Sequence, residues 1–175
     1  MHLTNERNHY TSAGYEEIST HSGTGSFILL NYATERTAKI SQDEAYDQFV
    51  RFVLTQSLPC FPKIDCHRAP LGPFISGSNE PYTVTETELL KDLDAATQRQ
   101  IYDWIQSVLP FVLGAPGASA PVGDPYGLLA GLQAMSIWLK GECTGIGIDN
   151  KPGNVLSRHR GGSVEYVITD GFACC

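Results

Sequence analysis

Alternating apolar and polar residues near the start of the chain predict three short strands. The segments YEEIST, SFILLNY and TAKIS carry β-branched and aromatic residues, and the turn-forming segments HSGTG and ATER separate them. The strands are expected at residues 15–20, 26–32 and 37–41. The residues before them are polar, lack the apolar core of a secretory signal peptide and are expected to be unstructured.

The pattern then changes to helical periodicity. Residues 42–57 carry apolar side chains at the spacing of one helix face, namely Ala45, Phe49, Phe52 and Val53. Ser41, with Glu44 three residues later, has the pattern of a capping box. We therefore expect a helix that begins directly after the third strand.

The remaining pattern mixes strands and helices. Further strands are predicted at residues 61–66, 81–89, about 154–157 and 164–169, and further helices at about 94–108 and 128–140. Residues 109–127, rich in Pro, Gly and Ala, are predicted to form a connecting loop without a role in the core. Strands with one helix come first and mostly helices follow, which predicts an α+β fold with two unequal lobes.

Composition narrows the class of protein. The chain has 175 residues, enough for one compact domain, and its net charge of −7 argues against binding to nucleic acid or to an anionic membrane. No apolar run approaches the length of about 20 residues that spans a bilayer. Cys60, Cys66 and His67 could supply only part of a zinc site, so free thiols in a reducing compartment are expected.

Four polar residues near the end of the chain have the pattern of a phosphoryl-transfer site. They lie in IDNKPGNVL and VITDGF, and are Asp149, Lys151, Asn154 and Asp170. Carboxylate and amide oxygens suit Mg²⁺, and a lysine can neutralise a phosphate. Asp, Asn, Pro and Gly are also ordinary turn residues. The order D-x-K-P-x-N, strand, turn, strand, Asp-Gly-Phe favours the functional interpretation.

This order resembles the catalytic loop and metal-binding segment of protein kinases, H-R-D-x-K-P-x-N followed by D-F-G. The resemblance implies that Asp149 is the catalytic aspartate, that Lys151 contacts the γ-phosphate as in serine/threonine kinases, and that Asn154 and Asp170 bind Mg²⁺. Gly147 and Ile148 replace the His and Arg before the aspartate, and Asp170-Gly171-Phe172 transposes the last two residues. Control by a phosphorylated activation loop is therefore not expected.

The front of the chain is similar to the ATP-binding part of the same family. Gly23, Gly25 and Ser26 resemble a shortened Gly-rich loop over the phosphates, and Lys39 in TAKI resembles the lysine of V-A-I-K, which holds the α- and β-phosphates. The resemblance implies a helix carboxylate that pairs with Lys39. Glu44 is the first candidate and Asp47 the alternative.

The segment YTVTETELLKDL resembles the hinge between kinase lobes. Main-chain groups around Glu86 to Glu88 are expected to bind adenine, between Ile40, Val84 and Leu156. The whole chain, residues 1–175, is then one minimal bilobal kinase-like domain. Residues of about 15–90 form a small antiparallel β lobe with the hinge, and residues of about 91–175 form a reduced helical lobe.

The chain ends five residues after Asp170, where a complete kinase continues into its substrate-binding part. Either the sequence is truncated, or its family lacks the substrate-binding part. This resembles minimal bacterial type III effector kinases, in particular the Hop BF group, toxins that phosphorylate the host Hsp ninety chaperone. The resemblance implies a monomeric Ser/Thr protein kinase that uses ATP and Mg²⁺ and is secreted into the host cytoplasm. The polar start is compatible with an uncleaved secretion signal.

Two other functions stay open. A small-molecule phosphotransferase of the aminoglycoside-kinase type also uses an aspartate loop, although it usually lacks a lysine at the position of Lys151. A nucleotide-binding pseudokinase would act by binding a partner only. For the protein kinase, the absence of a peptide-docking platform implies a folded substrate, and residues 109–127 are the candidate contact surface.

Overall fold

The computed structural model describes residues 3–21, 26–69, 82–142 and 145–174. The chain divides into two compact units. The first unit comprises residues 1–54 and 63–89, and the second comprises residues 55–62 and 90–175. Both strands and helices are present, which confirms the α+β class. No helix in the described part of the chain is long and apolar enough to cross a membrane.

The first unit is built on an antiparallel sheet of five strands. In chain order its elements are α1 (Leu3–Ser12), β1 (Glu16–His21), β2 (Ser26–Asn31), β3 (Arg36–Ser41), α2 (Glu44–Leu54), β4 (Ile64–Arg68) and β5 (Thr83–Glu88). The strand order is β1-β2-β3-β5-β4. Leu29 lies opposite Ala38, and Ile40 lies opposite Val84, in the buried core of this unit.

Helix α1 corrects the expectation of an unstructured start. Tyr10, which is 5% exposed, packs with the sheet residues of the core cluster, and its hydroxyl donates to Glu86. Glu6, one turn earlier, is buried and accepts hydrogen bonds from Arg68 and from the hydroxyl of Tyr82. The helix is held by these polar contacts rather than by an apolar stripe, so hydrophobic periodicity did not reveal it.

The predicted capping box of α2 is wrong. Asp43 caps the helix, because its Oδ1 accepts a hydrogen bond from the amide of Ala45 at 2.9 Å. The hydroxyl of Ser41 instead lies 2.8 Å from the hydroxyl of Ser26 and is buried within the sheet. Glu44 is exposed at the first residue of α2.

The second unit combines two helices with two small strand pairs. Its elements are α3 (Ala95–Leu113), α4 (Leu129–Glu142), β6 (Ile146–Ile148), β7 (Val155–Arg160), β8 (Ser163–Ile168) and β9 (Phe172–Cys174). Strand β6 pairs with β9 and β7 pairs with β8, both antiparallel. The predicted strands near 154–157 and 164–169 are thus present as a hairpin, whereas β6 and β9 were not predicted.

Helix α3 extends beyond its predicted end near residue 108. Ile101, Ile105, Val108 and Val112 are buried along one face, so the apolar stripe continues through Pro110. Gly114 ends the helix with φ of 76°, a left-handed conformation that glycine adopts without strain. The expectation that residues 109–127 form only a loop is therefore wrong for its first five residues.

The rest of that segment also has structural roles. Asp124 accepts hydrogen bonds from the amides of Leu128 and Leu129 at 3.0 and 2.8 Å, where α4 begins. The ring of Tyr126 makes edge contacts with Trp104 of α3 and Tyr166 of β8, each with centroids 5.5 Å apart. The expectation that the segment has no role in the core is wrong at these positions.

Residues 55–62 are attached to the β7–β8 hairpin of the second unit. The buried guanidinium of Arg158 donates to the carbonyls of Pro59 and Phe61 at 2.7 and 3.0 Å. The amide of Ile168 donates to the carbonyl of Cys60 at 2.9 Å. Burial raises the pKa of the Cys60 thiol to about 11, so this thiol stays protonated at neutral pH.

Gly131 allows α4 to approach this segment closely. A Cβ at this position would lie 2.5 Å from Sγ of Cys60 and 3.2 Å from Cζ of Phe61. We expect Gly131→Ala to lower the free energy of unfolding by about 1–2 kcal/mol, because overpacking outweighs the better helix propensity of Ala. Urea denaturation measures the change.

The same substitution in a Cys60→Ala background is the matched control. Removal of Sγ opens space for the new methyl group, so there Gly131→Ala should be neutral or stabilising. The coupling between the two substitutions then isolates the steric contact. Equal destabilisation in both backgrounds would contradict the assignment of the close approach.

Candidate active site

Asp149 follows β6 directly and is tied to the segment that contains Asp170. Its amide donates to the carbonyl of Gly171 at 2.8 Å, next to the β6–β9 pair, where Ile148 lies opposite Phe172. Phe172 is 1% exposed and anchors β9 in the core. The Asp-Gly-Phe sequence thus has a defined geometry: the glycine carbonyl binds the aspartate loop and the phenylalanine is buried.

Asn154 closes the loop and connects it to Thr169, the residue that directly follows β8. Its amide donates to the carbonyl of Lys151 at 3.1 Å, which makes the tight turn. Its carbonyl accepts the amide of Thr169 at 2.8 Å and the hydroxyl of the same residue at 3.2 Å. Asn154 is therefore bonded to the residue that precedes Asp170, and the two strand pairs bring Asp149, Asn154 and Asp170 into one cluster.

Lys151 forms an ion pair with Asp149. The distance from Nζ to Oδ2 is 2.7 Å, and the side chains are 69% and 13% exposed, respectively. Because the lysine is mostly in solvent, the pair contributes little to stability. The position of Lys151 is relevant to the chemistry, because it places a positive charge beside a mostly buried carboxylate.

The orientation of the Asn154 side chain fits a divalent cation. Its Nδ2 donates to the carbonyl of Asp149 at 3.1 Å, and a carbonyl can only accept, so the amide oxygen is the atom directed elsewhere. An amide oxygen and the carboxylate of Asp170 are the hard oxygen ligands that Mg²⁺ takes, together with phosphate oxygens. Within residues 3–21, 26–69, 82–142 and 145–174, no group of three or more His, Cys, Asp or Glu residues could hold a metal.

A small cavity lies beside the cluster within the second unit. Its lining includes Asp149, Asn154 and Gly171, and the apolar side chains of Met135 and Ile148. Nδ2 of Asn150, which also lines it, is buried without a hydrogen-bond partner in the part of the chain that the structure describes. Asn150 occupies a variable position of the D-x-K-P-x-N pattern, so the motif gave no signal for it.

Lys39 lies on β3 in the first unit, opposite Ile28 on β2 and Thr85 on β5. Its Nζ is 3.5 Å from the centroid of the Tyr46 ring in the first turn of α2. Tyr46 is 4% exposed. Sequence reasoning missed this residue, because an aromatic side chain on the buried face of a helix is typical of a core.

The two carboxylates considered for Lys39 have different surroundings. Glu44 is exposed, whereas Asp47 is 2% exposed and binds Nε2 of His67 at 2.9 Å and Nε of Arg51 at 2.7 Å. The other ring nitrogen of His67 lies 2.9 Å from the hydroxyl of Thr85. Burial alone would raise the pKa of Asp47, but the hydrogen bonds from His67 and Arg51 hold it below its usual value.

This lowered pKa makes a prediction about stability. A carboxylate with a depressed pKa stabilises the folded state above its unfolded-state pKa, near 4, and loses that contribution as the pH falls through its folded-state value. Asp47→Asn should therefore lower the free energy of unfolding by about 2 kcal/mol at pH 7. The difference from the wild type should shrink as the pH falls below about 4.

Urea denaturation at several pH values measures this dependence. Glu44→Gln removes an exposed carboxylate from the same helix and is the control, because its effect should be small at every pH. An Asp47→Asn difference that stays constant down to the lowest measurable pH would contradict the role of the ionised carboxylate.

The predicted Gly-rich loop is only partly within the described structure. Gly23 and Gly25 lie outside the described residues. Ser26 is the first residue of β2, lies opposite His21 and is buried, with its hydroxyl bonded to that of Ser41. Its side chain therefore contributes to the sheet.

The predicted hinge residues lie inside β5, between β3 and β4. Glu86 pairs with Ala38 and Cys66, and Glu88 pairs with Arg36. Oε1 of Glu88 also accepts the amide of Lys63 at 2.8 Å, and the main-chain amide of Glu88 donates to the Lys63 carbonyl. Their main-chain groups belong to the sheet ladder, and the chain leaves the strand only after Glu88.

The residues expected beside adenine are distributed over both units. Ile40 and Val84 are fully buried in the core of the first unit, at 0% and 2% exposure. Leu156 lies half-buried on β7 of the second unit.

The sequence was compared with protein-family models and with curated proteins. No family model matches the chain, and no curated protein matches it significantly. The chemical interpretation of the site therefore depends on its residues and their geometry.

Proposed function

We propose that this chain is a minimal Ser/Thr protein kinase, with a reduced kinase-like fold, that transfers the γ-phosphate of ATP to a protein hydroxyl. The observation that carries the proposal is the pair of main-chain bonds that join the two loops: Asp149 to Gly171, and Thr169 to Asn154. These bonds bring the main chain at Asp149 and Asn154 next to the residues that flank Asp170, which supports a cluster of two carboxylates and one amide oxygen. Such a cluster can serve phosphoryl transfer, in which positioning and charge stabilisation supply most of the catalysis.

Each residue has a role in this proposal. Asp149 orients the attacking hydroxyl and accepts its proton, and Lys151 stabilises charge on the transferred phosphoryl group. Asn154 and Asp170 hold Mg²⁺, which neutralises charge on the phosphate oxygens when bound. Lys39 holds the α- and β-phosphates. The order of the elements, three antiparallel strands, a helix, two further strands, two helices and the two loops, supports this assignment.

The ion pair of Lys151 with Asp149 favours a protein substrate over a small molecule. Aminoglycoside-type phosphotransferases usually lack this lysine, and here its Nζ lies 2.7 Å from the carboxylate proposed to orient the hydroxyl. A lysine at that point adds positive charge where the γ-phosphate and the hydroxyl meet.

The biological setting is proposed from the sequence resemblance. As in the Hop BF group, the chain would be a type III effector and toxin, delivered as a monomer into the host cytoplasm. Its substrate there would be the Hsp ninety chaperone. The substrate would contribute to its own positioning through broad contact with the folded kinase. The exposed part of the connecting segment, around Val122, is the candidate contact surface.

Incubation of the protein with radiolabelled ATP, Mg²⁺ and host-cell lysate tests the function. The kinase proposal expects label on a protein band, with purified Hsp ninety as the first candidate, and loss of label on chelation of Mg²⁺. Label on an aminoglycoside in a parallel antibiotic panel would identify a small-molecule phosphotransferase. ATP-dependent thermal stabilisation without any transfer would identify a pseudokinase. A kcat/KM for short peptides equal to that for the folded protein would contradict the proposed mode of substrate contact.

A further inference from the structure

Lys39 contacts an aromatic ring in the helix where the kinase resemblance implies a carboxylate partner. The distance from its Nζ to the centroid of the Tyr46 ring is 3.5 Å. A cation within about 6 Å of a ring centroid is attracted by the negative face of the ring, and more strongly where water is excluded. Tyr46 is 4% exposed and Lys39 is half-buried, so the contact is shielded from solvent.

The rotation of α2 about its axis is fixed by the neighbouring residue. Asp47 directs both carboxylate oxygens away into bonds of its own, Oδ1 to His67 and Oδ2 to Arg51. Successive residues of an α-helix project about 100° apart. The rotation that presents Asp47 to His67 on β4 therefore presents Tyr46 to Lys39 on β3.

We propose that Tyr46 is a positioning residue for Lys39, which it contacts through the face of its ring. The face of the ring holds the ammonium group over α2 without adding a negative charge of its own. The lysine is thereby directed for contact with the phosphate chain of a nucleoside triphosphate. This inference rests on the proposed kinase function and deepens it, because it assigns how the nucleotide-binding lysine is oriented.

Substitution of Tyr46 by Phe, by Leu and by 3,4,5-trifluorophenylalanine tests the role of the ring. Phe keeps the ring face, the fluorinated ring keeps nearly the same shape but loses its negative face, and Leu removes the ring. Two quantities are measured on the full chain: the Kd for ATP with Mg²⁺, and the NMR shifts of the Lys39 Cε protons, which a ring overhead moves upfield. Circular dichroism verifies that each variant is folded.

Tyr46→Phe should keep the upfield shift and bind ATP within about twofold of the wild type, since only the hydroxyl is lost. The fluorinated variant should weaken ATP binding by roughly 3- to 30-fold, because the attraction of cation to ring is lost while packing is retained. Leu should weaken binding at least as much and abolish the upfield shift. If Leu prevents folding, the comparison of Phe with its fluorinated form still shows whether the negative face of the ring contributes to ATP binding.

Three results would overturn the inference. One is a fluorinated variant that binds ATP with the same Kd as a wild-type protein that binds ATP. Another is a Lys39 proton shift that is the same with and without the ring. The third is a loss of ATP affinity in Glu44→Gln as large as that in Lys39→Met, which would identify Glu44 as the partner. Failure of the wild-type protein to bind ATP at all, with its ring shift intact, would instead overturn the kinase proposal and the nucleotide role of Tyr46 with it.

Discussion

Asp170→Ala is expected to slow phosphoryl transfer from ATP by roughly 10³-fold, since loss of a metal ligand forfeits about 4 kcal/mol of transition-state stabilisation. Asp170 lies in the chain between Thr169, whose amide is bonded to Asn154, and Gly171, whose carbonyl is bonded to Asp149. It is therefore held where the two loops meet. The initial rate of label transfer from radiolabelled ATP to the identified substrate measures the effect.

Asp149→Ala should lower the rate by a similar factor, because the attacking hydroxyl loses the group that orients it. Asp103→Ala is the matched control from the same unit: its carboxylate is 56% exposed and pairs only with Arg99 on the surface of α3, among the described residues. The control should retain the wild-type rate. Full rates in both active-site variants would refute the assignment of these aspartates.

The central part of the candidate site was predictable because it is local. Asp149, Lys151 and Asn154 lie in one six-residue loop, and a loop of Asp, Asn, Pro and Gly forms a turn whatever surrounds it. The β7–β8 hairpin was predictable as well. Its two apolar runs are separated by Gly161 and Gly162, both with positive φ, which is the local signal of a hairpin turn.

The pair β6–β9 was not predictable from the pattern. Each strand has only three residues, and the pairing joins Ile146 to Cys174 across most of the site. Three residues are too few for a period of two to be recognised. Yet this pair brings the amide of Asp149 to the carbonyl of Gly171, so the approach of the two loops depends on a contact that hydrophobic patterning does not reveal.

The surroundings of Lys39 were not predictable for a different reason. Helix α2 buries residues beside its predicted apolar face, including Tyr46 and Asp47, so the apolar pattern did not indicate which side chain faces Lys39. The orientation of the helix depends on His67 and Thr85, which lie on strands that are distant in the sequence. The sequence predicted Glu44 and Asp47 as the candidate carboxylate partners of Lys39. It could not show that Asp47 is bound elsewhere and that Tyr46 faces Lys39.

Arg158→Met should lower the free energy of unfolding by about 3 kcal/mol, because the buried carbonyl of Phe61 and the partly buried carbonyl of Pro59 would both lose their donor. Arg158 is 7% exposed and donates to both carbonyls as well as to Glu165. For a chain of this length the loss corresponds to a decrease of roughly 10 °C in Tm. Thermal unfolding followed by circular dichroism measures it.

Glu165→Gln separates the ion pair from the carbonyl contacts. The Glu165 side chain is 35% exposed and screened by solvent, so its loss should lower stability by less than about 1 kcal/mol. Hydrogen exchange adds a local measurement, because the amide of Ile168 donates to the carbonyl of Cys60, which lies in residues 55–62. That amide should exchange faster in Arg158→Met and at the wild-type rate in Glu165→Gln. Equal effects of the two substitutions would show that the ion pair, and not the two carbonyls, is what the arginine stabilises.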